Sequence, residues 1–169
     1  MVQFPVKIPF DAWDANALAE FMRPLVEPWF NNEKSGAWIH IIDPEEKVIN
    51  TDIETGTISV QVDPVWSGFS RVQPLRTALN LKNPTNDTIT RVIQFWIEFP
   101  KDGTLPDLKP GFEIAVEFGL NDPALERHQY IIDGAINASD AWQRTIEAVV
   151  NLEARPNYDM STWPKPPED

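Results

Sequence analysis

The chain has 169 residues and a net charge of −12, a length that predicts one domain with flanking segments. This acidity argues against nucleic acid or anionic membranes as binding partners, because both need a basic face that displaces counterions. The sequence contains no cysteine, which excludes disulfides, zinc ribbons, iron–sulfur clusters and thiol nucleophiles. Its two histidines are too few for a His-rich metal site.

The first 35 residues are predicted to form an N-terminal arm and a short helix. Pro5 and Pro9 interrupt a loosely alternating stretch, which indicates an extended arm. The helix is expected over residues 14–23, and Pro24 should limit it because proline removes an amide donor and clashes with the preceding turn. No leader peptide or membrane-length apolar run is found, so we expect a soluble intracellular product with no membrane partner.

Residues 36–154 are predicted to form the core domain. The clearest half-buried strand covers residues 57–63, where Ile58, Val60 and Val62 share one face. The last segment could be drawn as a helix through residues 141–154, but its β-branched side chains favour a strand. The predicted strands cover residues 37–43, 57–63, 69–73, 92–99, 111–118, 129–133 and 143–153, with turns at 51–56, 65–68, 121–125 and 138–142.

Short strands separated by turn signals predict a mainly β fold, either a small barrel or a sandwich. We favour a β-barrel of about six antiparallel strands with an N-terminal helix, a long inserted loop and extended termini. The inserted loop covers residues 75–91, which are polar in their second half. Loops of this length are usually functional or disordered. Residues 155–169 are predicted to be an extended, proline-rich C-terminal tail with Trp163 as its apolar anchor.

Catalytic and metal-binding motifs are weak in this sequence. It has no nucleophile elbow, P-loop, dinucleotide fingerprint or His-Glu-x-x-His. His40 lies between two isoleucines and is interpreted as a satisfied or solvent-facing strand residue, and His128 as a surface residue. An acidic cluster lacks the spacing of a calcium loop; its members are Asp43, Glu45, Glu46, Asp52 and Glu54. The sequence does not exclude a pair of carboxylates that could hydrolyse a glycosidic bond, but we expect no enzymatic activity and no cofactor.

The aromatic residues divide into two groups. Trp38, Trp66 and Trp96 lie in or beside predicted strands and are expected in the core. Trp13, Trp29 and Trp163 lie in the flanks, where aromatic side chains often insert into a partner's pocket. The predicted inter-subunit or inter-ring anchors are Trp13, Phe21, Trp29, Phe30 and Trp163. Sugar stacking on a carbohydrate-binding β-sandwich is the alternative use of these aromatics.

The order of segments resembles the head-closure, or head-to-tail stopper, proteins of long-tailed bacteriophages, especially the connector family common in phages of actinobacteria. The resemblance covers about residues 14–153 and rests on order and spacing. This sequence has Phe69 where the family commonly has proline, and Phe112 where it commonly has aspartate. The matching segments are Asp14-Ala-Asn-Ala-Leu-Ala-Glu, Trp38 to Asp43, Asp52-Ile-Glu-Thr-Gly56, Val65-Trp-Ser-Gly-Phe-Ser-Arg-Val-Gln-Pro74, Ile97-Glu-Phe-Pro100, Leu108-Lys-Pro-Gly-Phe-Glu-Ile-Ala-Val116, Asn121-Asp-Pro-Ala-Leu125 and Trp142-Gln-Arg-Thr145.

The resemblance implies a non-enzymatic structural protein of the virion neck, assembled in the host cytoplasm. Such a protein would form a closed twelvefold or sixfold ring, with the portal and its adaptor ring above and the tail terminator below. Double-stranded DNA would pass through the lumen without sequence-specific binding. A loop that lines and gates the channel would correspond to residues 75–91, with Arg76, Asn80, Lys82, Asn83, Asn86, Asp87 and Arg91 as its polar residues. Another neck or tail ring, such as a tail terminator, is the alternative, and a helix through residues 141–154 would favour it.

Overall fold

The computed structural model describes residues 20–22, 24–25, 36–74, 92–98, 105–119, 122–136 and 143–167. Two short 3₁₀ turns lie among the strands in these ranges, at Pro44–Glu46 and Pro123–Arg127. The described strands are β1 (Ala37–Ile42), β2 (Val48–Thr51), β3 (Ile58–Gln61), β4 (Trp66–Pro74), β5 (Val92–Glu98), β6 (Glu113–Gly119), β7 (His128–Ile136) and β8 (Gln143–Ala154).

Six of these strands close into an antiparallel barrel in the order β1–β4–β5–β8–β7–β6, and β6 pairs again with β1. Closure gives each of the six strands a neighbour on both sides, so the barrel has no open edge that could pair with another chain. The predicted mainly β fold and small barrel are confirmed. The sandwich alternative is wrong, because the remaining strands β2 and β3 form only a two-stranded sheet.

β1 is buried on both of its faces. All six of its residues are buried, although side chains alternate between the two sides of a strand. Ala37, Ile39 and Ile41 point into the barrel and join its core. Trp38 and His40 therefore point outward, where other parts of the chain cover them. The sequence of β1, apolar at every position except His40, reflects this double burial.

The barrel interior is filled by aliphatic side chains around one aromatic pair. The rings of Phe95 and Tyr130 lie 5.1 Å apart in an edge-to-face arrangement, and the Tyr130 hydroxyl donates to the Leu125 carbonyl at 3.2 Å. Burial, with a smaller effect of the nearby Asp122 carboxylate, raises the pKa of Tyr130 to about 12. The buried aliphatic residues of this core are Ala37, Ile39, Ile41, Ile97, Leu108, Ile114, Val116, Ile132, Ile146 and Ala148.

β4 differs from its predicted extent, and β8 decides between the two predictions made for its segment. The segment expected to turn at residues 65–68 is already strand from Trp66 onward, so β4 is longer than predicted. A Cβ at Gly68 would lie 2.6 Å from the Trp66 ring, so glycine is required for that ring to cover the strand. β8 spans Gln143–Ala154 and pairs with β5 and β7. The strand interpretation of this segment is confirmed, and the helical alternative is wrong over these residues.

β2 and β3 form a hairpin that the sequence did not fully predict. Only β3 was expected, whereas β2 pairs with it from Val48↔Gln61 to Thr51↔Ile58. The expected turn between them is present. Asp52 accepts from the amide of Glu54 at 2.9 Å, and Gly56 has a φ of 67°, a left-handed conformation that favours glycine.

The C-terminal segment, predicted as an extended tail with Trp163 as its apolar anchor, lies against the outer face of the barrel. Residues 155–167, called the strap below, pack on the outer face of the barrel. Tyr158 and Trp163 are both buried there with Ile42, Val60 and other outward-facing residues. The Tyr158 bridge to Val60 is parallel, and the Val60 amide donates to the Asn157 carbonyl at 2.9 Å. The strap thus adds to the free edge of β3.

The flanking predictions are only partly covered by the described residues. Residues 20–22 have helical backbone, as expected, and so do Pro24 and Leu25, beyond the predicted limit. The predicted inserted loop, residues 75–91, lies outside the described residues. Its two ends are defined by β4 and β5, which pair directly at Pro74↔Ile93.

Candidate functional site

The predicted anchors and channel residues fall in three groups. Trp163, expected to reach a neighbouring subunit, is only 3% exposed and lies within its own chain, so it is unavailable as an anchor while the strap is seated. Phe21 has helical backbone and is 39% exposed. Its predicted role as an anchor to a neighbouring subunit stays a prediction. The remaining predicted residues lie outside the described part of the chain: Trp13, Trp29, Phe30, Arg76, Asn80, Lys82, Asn83, Asn86, Asp87 and Arg91.

A group of polar side chains lies between the strap and the outer face of β1, β4 and β6. Strand register places His40 beside both Ser67 of β4 and Ala115 of β6. Alternation along β6 then directs Glu113 and Glu117 to the same outer face as Ala115. Three strands distant in the sequence thus present a histidine, a hydroxyl and two carboxylates to one covered surface.

His40 is fully buried and bonds at both ring nitrogens. Its Nδ1 lies 2.8 Å from the Ser67 Oγ, and its Nε2 lies 3.0 Å from the Glu117 Oε2. Burial lowers the pKa of His40 despite the opposing effect of the Glu117 carboxylate, so the ring is neutral near pH 7. The tautomer that satisfies both contacts carries its hydrogen on Nε2, which donates to Glu117, while Nδ1 accepts from the Ser67 hydroxyl.

The strap encloses this histidine. The Trp163 ring lies 4.6 Å from the His40 ring, and Trp38 meets the same ring edge-on at 6.4 Å. Trp38 Nε1 donates to the Pro164 carbonyl at 3.1 Å, and Lys165 pairs with the other oxygen of Glu117. Burial alone would raise the pKa of Glu117, but hydrogen bonds from Lys165 and His40 outweigh it and hold that pKa below its usual value.

A second fastening lies further along β6 at Glu113. The Tyr158 hydroxyl donates to Glu113 Oε2 at 2.7 Å, and the same oxygen accepts from Lys47 and Gln129. Burial, followed by the bond to Glu113, raises the pKa of Tyr158 far above its usual value, so the phenol stays a hydrogen-bond donor. Glu113 and Glu117 therefore each bind one part of the strap.

The hydrogen-bonded series Ser67–His40–Glu117 has the order of a nucleophile, a base and an acid. Whether it could act on a substrate depends on whether a substrate can reach it. A general base must reach the proton that it removes from a group in contact with substrate. His40 has no exposed surface, because Trp38 and Trp163 lie against it. In this arrangement both ring nitrogens of His40 have partners, so of the two predicted environments, satisfied or solvent-facing, the structure shows the satisfied one.

Two members of the acidic cluster, Asp43 and Asp52, accept hydrogen bonds from turns. Asp43 accepts from the Glu45 amide at 3.0 Å, which caps the first 3₁₀ turn. Asp52 accepts from the Thr55 hydroxyl at 2.7 Å, and this bond, followed by two backbone amides, lowers the pKa of Asp52. Within the described ranges no three His, Asp or Glu side chains converge in a way that could hold a metal ion.

The hairpin carries the most exposed apolar side chains of the described chain. Ile53 at its tip is 93% exposed, Ile49 on β2 is 69% exposed and Ile58 on β3 is 58% exposed. Cross-strand partners share a face, so the pairs Ile49↔Val60 and Thr51↔Ile58 place Ile49 and Ile58 on the same side. An apolar face thus runs outward from buried Val60 toward the tip. Isolated exposed apolar residues are common, whereas a contiguous set indicates an interaction surface.

Sequence reasoning missed both the strap fastening and the hairpin surface. Ser67, Glu117 and Lys165 carry no motif in the sequence, and only the register of β1, β4 and β6 brings the first two to His40. The usable signals were charged residues inside the predicted strand 111–118 and the apolar Val48 and Ile49 beside the turn.

Comparisons with protein-family models and with curated protein sequences found no match to this chain. In the portion of the chain that the structure describes, no helix has the length and apolar character needed to cross a membrane.

Proposed function

We propose that this chain is a structural ring component of the neck of a long-tailed bacteriophage, of the head-to-tail stopper type, with no enzymatic role. The observation that carries the proposal is the closed six-stranded antiparallel barrel with a long insertion between β4 and β5. A barrel of this kind, with a long loop and interacting flanks, is what the resemblance in segment order implies.

The insertion joins two neighbouring strands of the barrel. Because β4 and β5 pair directly, residues 75–91 leave and re-enter the barrel at adjacent points at one end. They carry three basic residues, Arg76, Lys82 and Arg91, and one acidic residue, Asp87, within a chain whose net charge is −12. A locally basic loop on an acidic body would contact passing DNA at the loop while the rest of the ring repels it.

The alternatives have less support. A tail terminator would have been favoured by a helix through residues 141–154, but residues 143–154 form β8. A carbohydrate-binding sandwich requires two facing sheets, and this chain forms a closed barrel. A hydrolase built on Ser67 would need His40 to be reachable, and that ring is enclosed by the strap.

The test is a cryo-EM map of the neck of the intact virion, with this chain traced from side-chain density. The proposal expects a ring of these barrels between the portal-adaptor ring and the tail terminator, with residues 75–91 facing the lumen. Absence of the chain from the neck would refute the proposed function. A ring whose lumen is lined by other segments would refute only the channel role of residues 75–91.

A further inference from the structure

In the part of the chain that the structure describes, one backbone edge of β2 has no strand paired to it. The Asp52 amide donates to the Thr57 carbonyl at 2.9 Å, so Asp52 faces β3 and the next residue back, Thr51, faces away from it. Ile49 faces the same way, since backbone groups alternate along a strand. The opposite edge of the hairpin is occupied, because Val60 bonds to the strap on both its amide and its carbonyl. Of the described strands, only β3 pairs with β2.

This edge coincides with the apolar face of the hairpin. Ile49 presents its backbone groups outward, and its exposed side chain lies on the same face as Ile58. An added strand that bonds to Ile49 and Thr51 in antiparallel orientation would place its own bonding residues directly opposite them, on that same face. A strand that fits this edge therefore has apolar side chains on the same residues whose backbone groups bond to β2.

The first ten residues have this pattern. Their even positions are apolar: Val2, Phe4, Val6, Ile8 and Phe10. Both prolines, Pro5 and Pro9, fall at odd positions. If this segment is extended, every even residue keeps its amide donor on one edge, whereas the other edge loses donors at the prolines. The bonding edge and the apolar face thus belong to the same residues, as the β2 edge requires.

We propose that residues 2–10 of one copy add as an antiparallel strand to the β2 edge of a second copy. The charge distribution favours this occupant: residues 1–10 carry Lys7 and no acidic residue, whereas the hairpin turn carries the exposed Asp52 and Glu54. The proline edge of the added strand faces outward and prevents a further strand from pairing there. This deepens the proposed function by naming the surfaces that join neighbouring subunits, and only its place in a ring rests on that function.

The test measures self-association of the full chain by sedimentation over a range of concentrations. On the hairpin, Ile49→Lys changes the docking face, and Val48→Lys is the matched control because Val48 is similarly exposed on the opposite face. On the arm, Val6→Pro removes an amide from the bonding edge, and Gln3→Pro is the control at a position that needs none. We expect both test variants to weaken association at least about tenfold, and both controls to match the unchanged chain.

Mixing the two test variants distinguishes exchange between copies from docking within one chain. An Ile49→Lys chain still has an intact arm, and a Val6→Pro chain still has an intact edge, so the mixture should form a heterodimer although neither variant associates alone. No recovery on mixing, normal association of Ile49→Lys, or an unchanged chain that stays monomeric at every concentration would overturn the proposal. If association follows the prediction but the chain is absent from the virion neck, the proposed function fails and this inference stands.

Discussion

Replacing Trp163 with alanine should release the strap from the barrel without unfolding the barrel. Trp163 is 3% exposed, contacts the rings of His40 and Tyr158 at 4.6 and 5.5 Å, and donates from Nε1 to the Val62 carbonyl at 2.7 Å. The barrel core is a separate cluster that does not include this residue. Loss of the indole therefore acts first on the seating of the strap.

The size of the effect follows from burial. Truncation of a fully buried tryptophan to alanine costs about 3–5 kcal/mol. The strap lies beyond the last barrel strand, so its contacts can open without breaking a barrel pairing, and local opening of this kind needs less free energy than global unfolding. A loss of this size should raise the opening equilibrium constant of the strap by a factor of roughly 150 to 5,000.

Hydrogen exchange followed by NMR measures this opening directly. The Val60 and Asp159 amides report it, because each bonds across the contact between the strap and β3. We expect both to exchange faster in Trp163→Ala, while the Phe95 amide in the barrel keeps its protection. Thr162→Ala, which changes an exposed neighbour, is the control and should leave all three unchanged. The His40 pKa should also rise toward its ordinary value, because burial is the main cause of its lowering.

Two results would contradict this reasoning. If the Val60 and Asp159 amides keep their full protection in Trp163→Ala, the tryptophan does not hold the strap in place. If instead every barrel amide loses protection together with them, the strap and the barrel form one cooperative unit and cannot open separately.

Three further predictions concern stability. The folded state holds the His40 pKa below its ordinary value of 6.5, so the unfolded state binds the proton more tightly. The free energy of unfolding should therefore be highest above about pH 7 and fall as the pH drops through 6.5, with a slope of at most about 1.4 kcal/mol per pH unit. Thermal melts across pH should show this dependence in the unchanged chain and in His128→Gln but not in His40→Gln, and a flat profile in the unchanged chain would contradict it. Gly56→Ala should cost about 1–2 kcal/mol in urea unfolding, because φ is 67° there. Gly68→Ala should cost about 1–3 kcal/mol, because its Cβ would meet the Trp66 ring, whereas Gly134→Ala meets no atom within 4 Å and should be close to neutral; equal effects of all three glycine variants would refute both arguments.

The strap gives the barrel a covered outer face in addition to its core. Glu113 and Glu117 lie four residues apart on β6, and each accepts from a strap side chain, Tyr158 and Lys165 respectively. Because the strap also bonds to β3, it attaches the hairpin to the barrel. A two-stranded hairpin is marginally stable by itself, so the strap supports the surface on which the proposed subunit contact depends.

The sequence by itself determined the class of fold and most of the strands, although not β2. Alternation over residues 57–63 and 111–118, and β-branched residues in 143–153, are local patterns that predict strands whatever the tertiary structure. Gly56 likewise marks its turn, because a left-handed φ is a local requirement. Short strands separated by turn signals limited the predicted architecture to a small barrel or a sandwich, and the chain forms the closed barrel.

Only the tertiary structure decided which residues meet. The site joins residues that are distant in the sequence: His40, Ser67, Glu117 and Lys165. The contacts among the first three depend on strand register, because a shift of one residue would turn the side chains of a strand to the opposite face of the sheet. The burial of Trp163 could not be predicted from the sequence either. A proline-rich segment with one aromatic residue has the same sequence pattern whether it binds a partner or packs on its own barrel. Local patterns fix the periodicity of each segment, whereas the partner of each face is chosen by the packing of the whole chain.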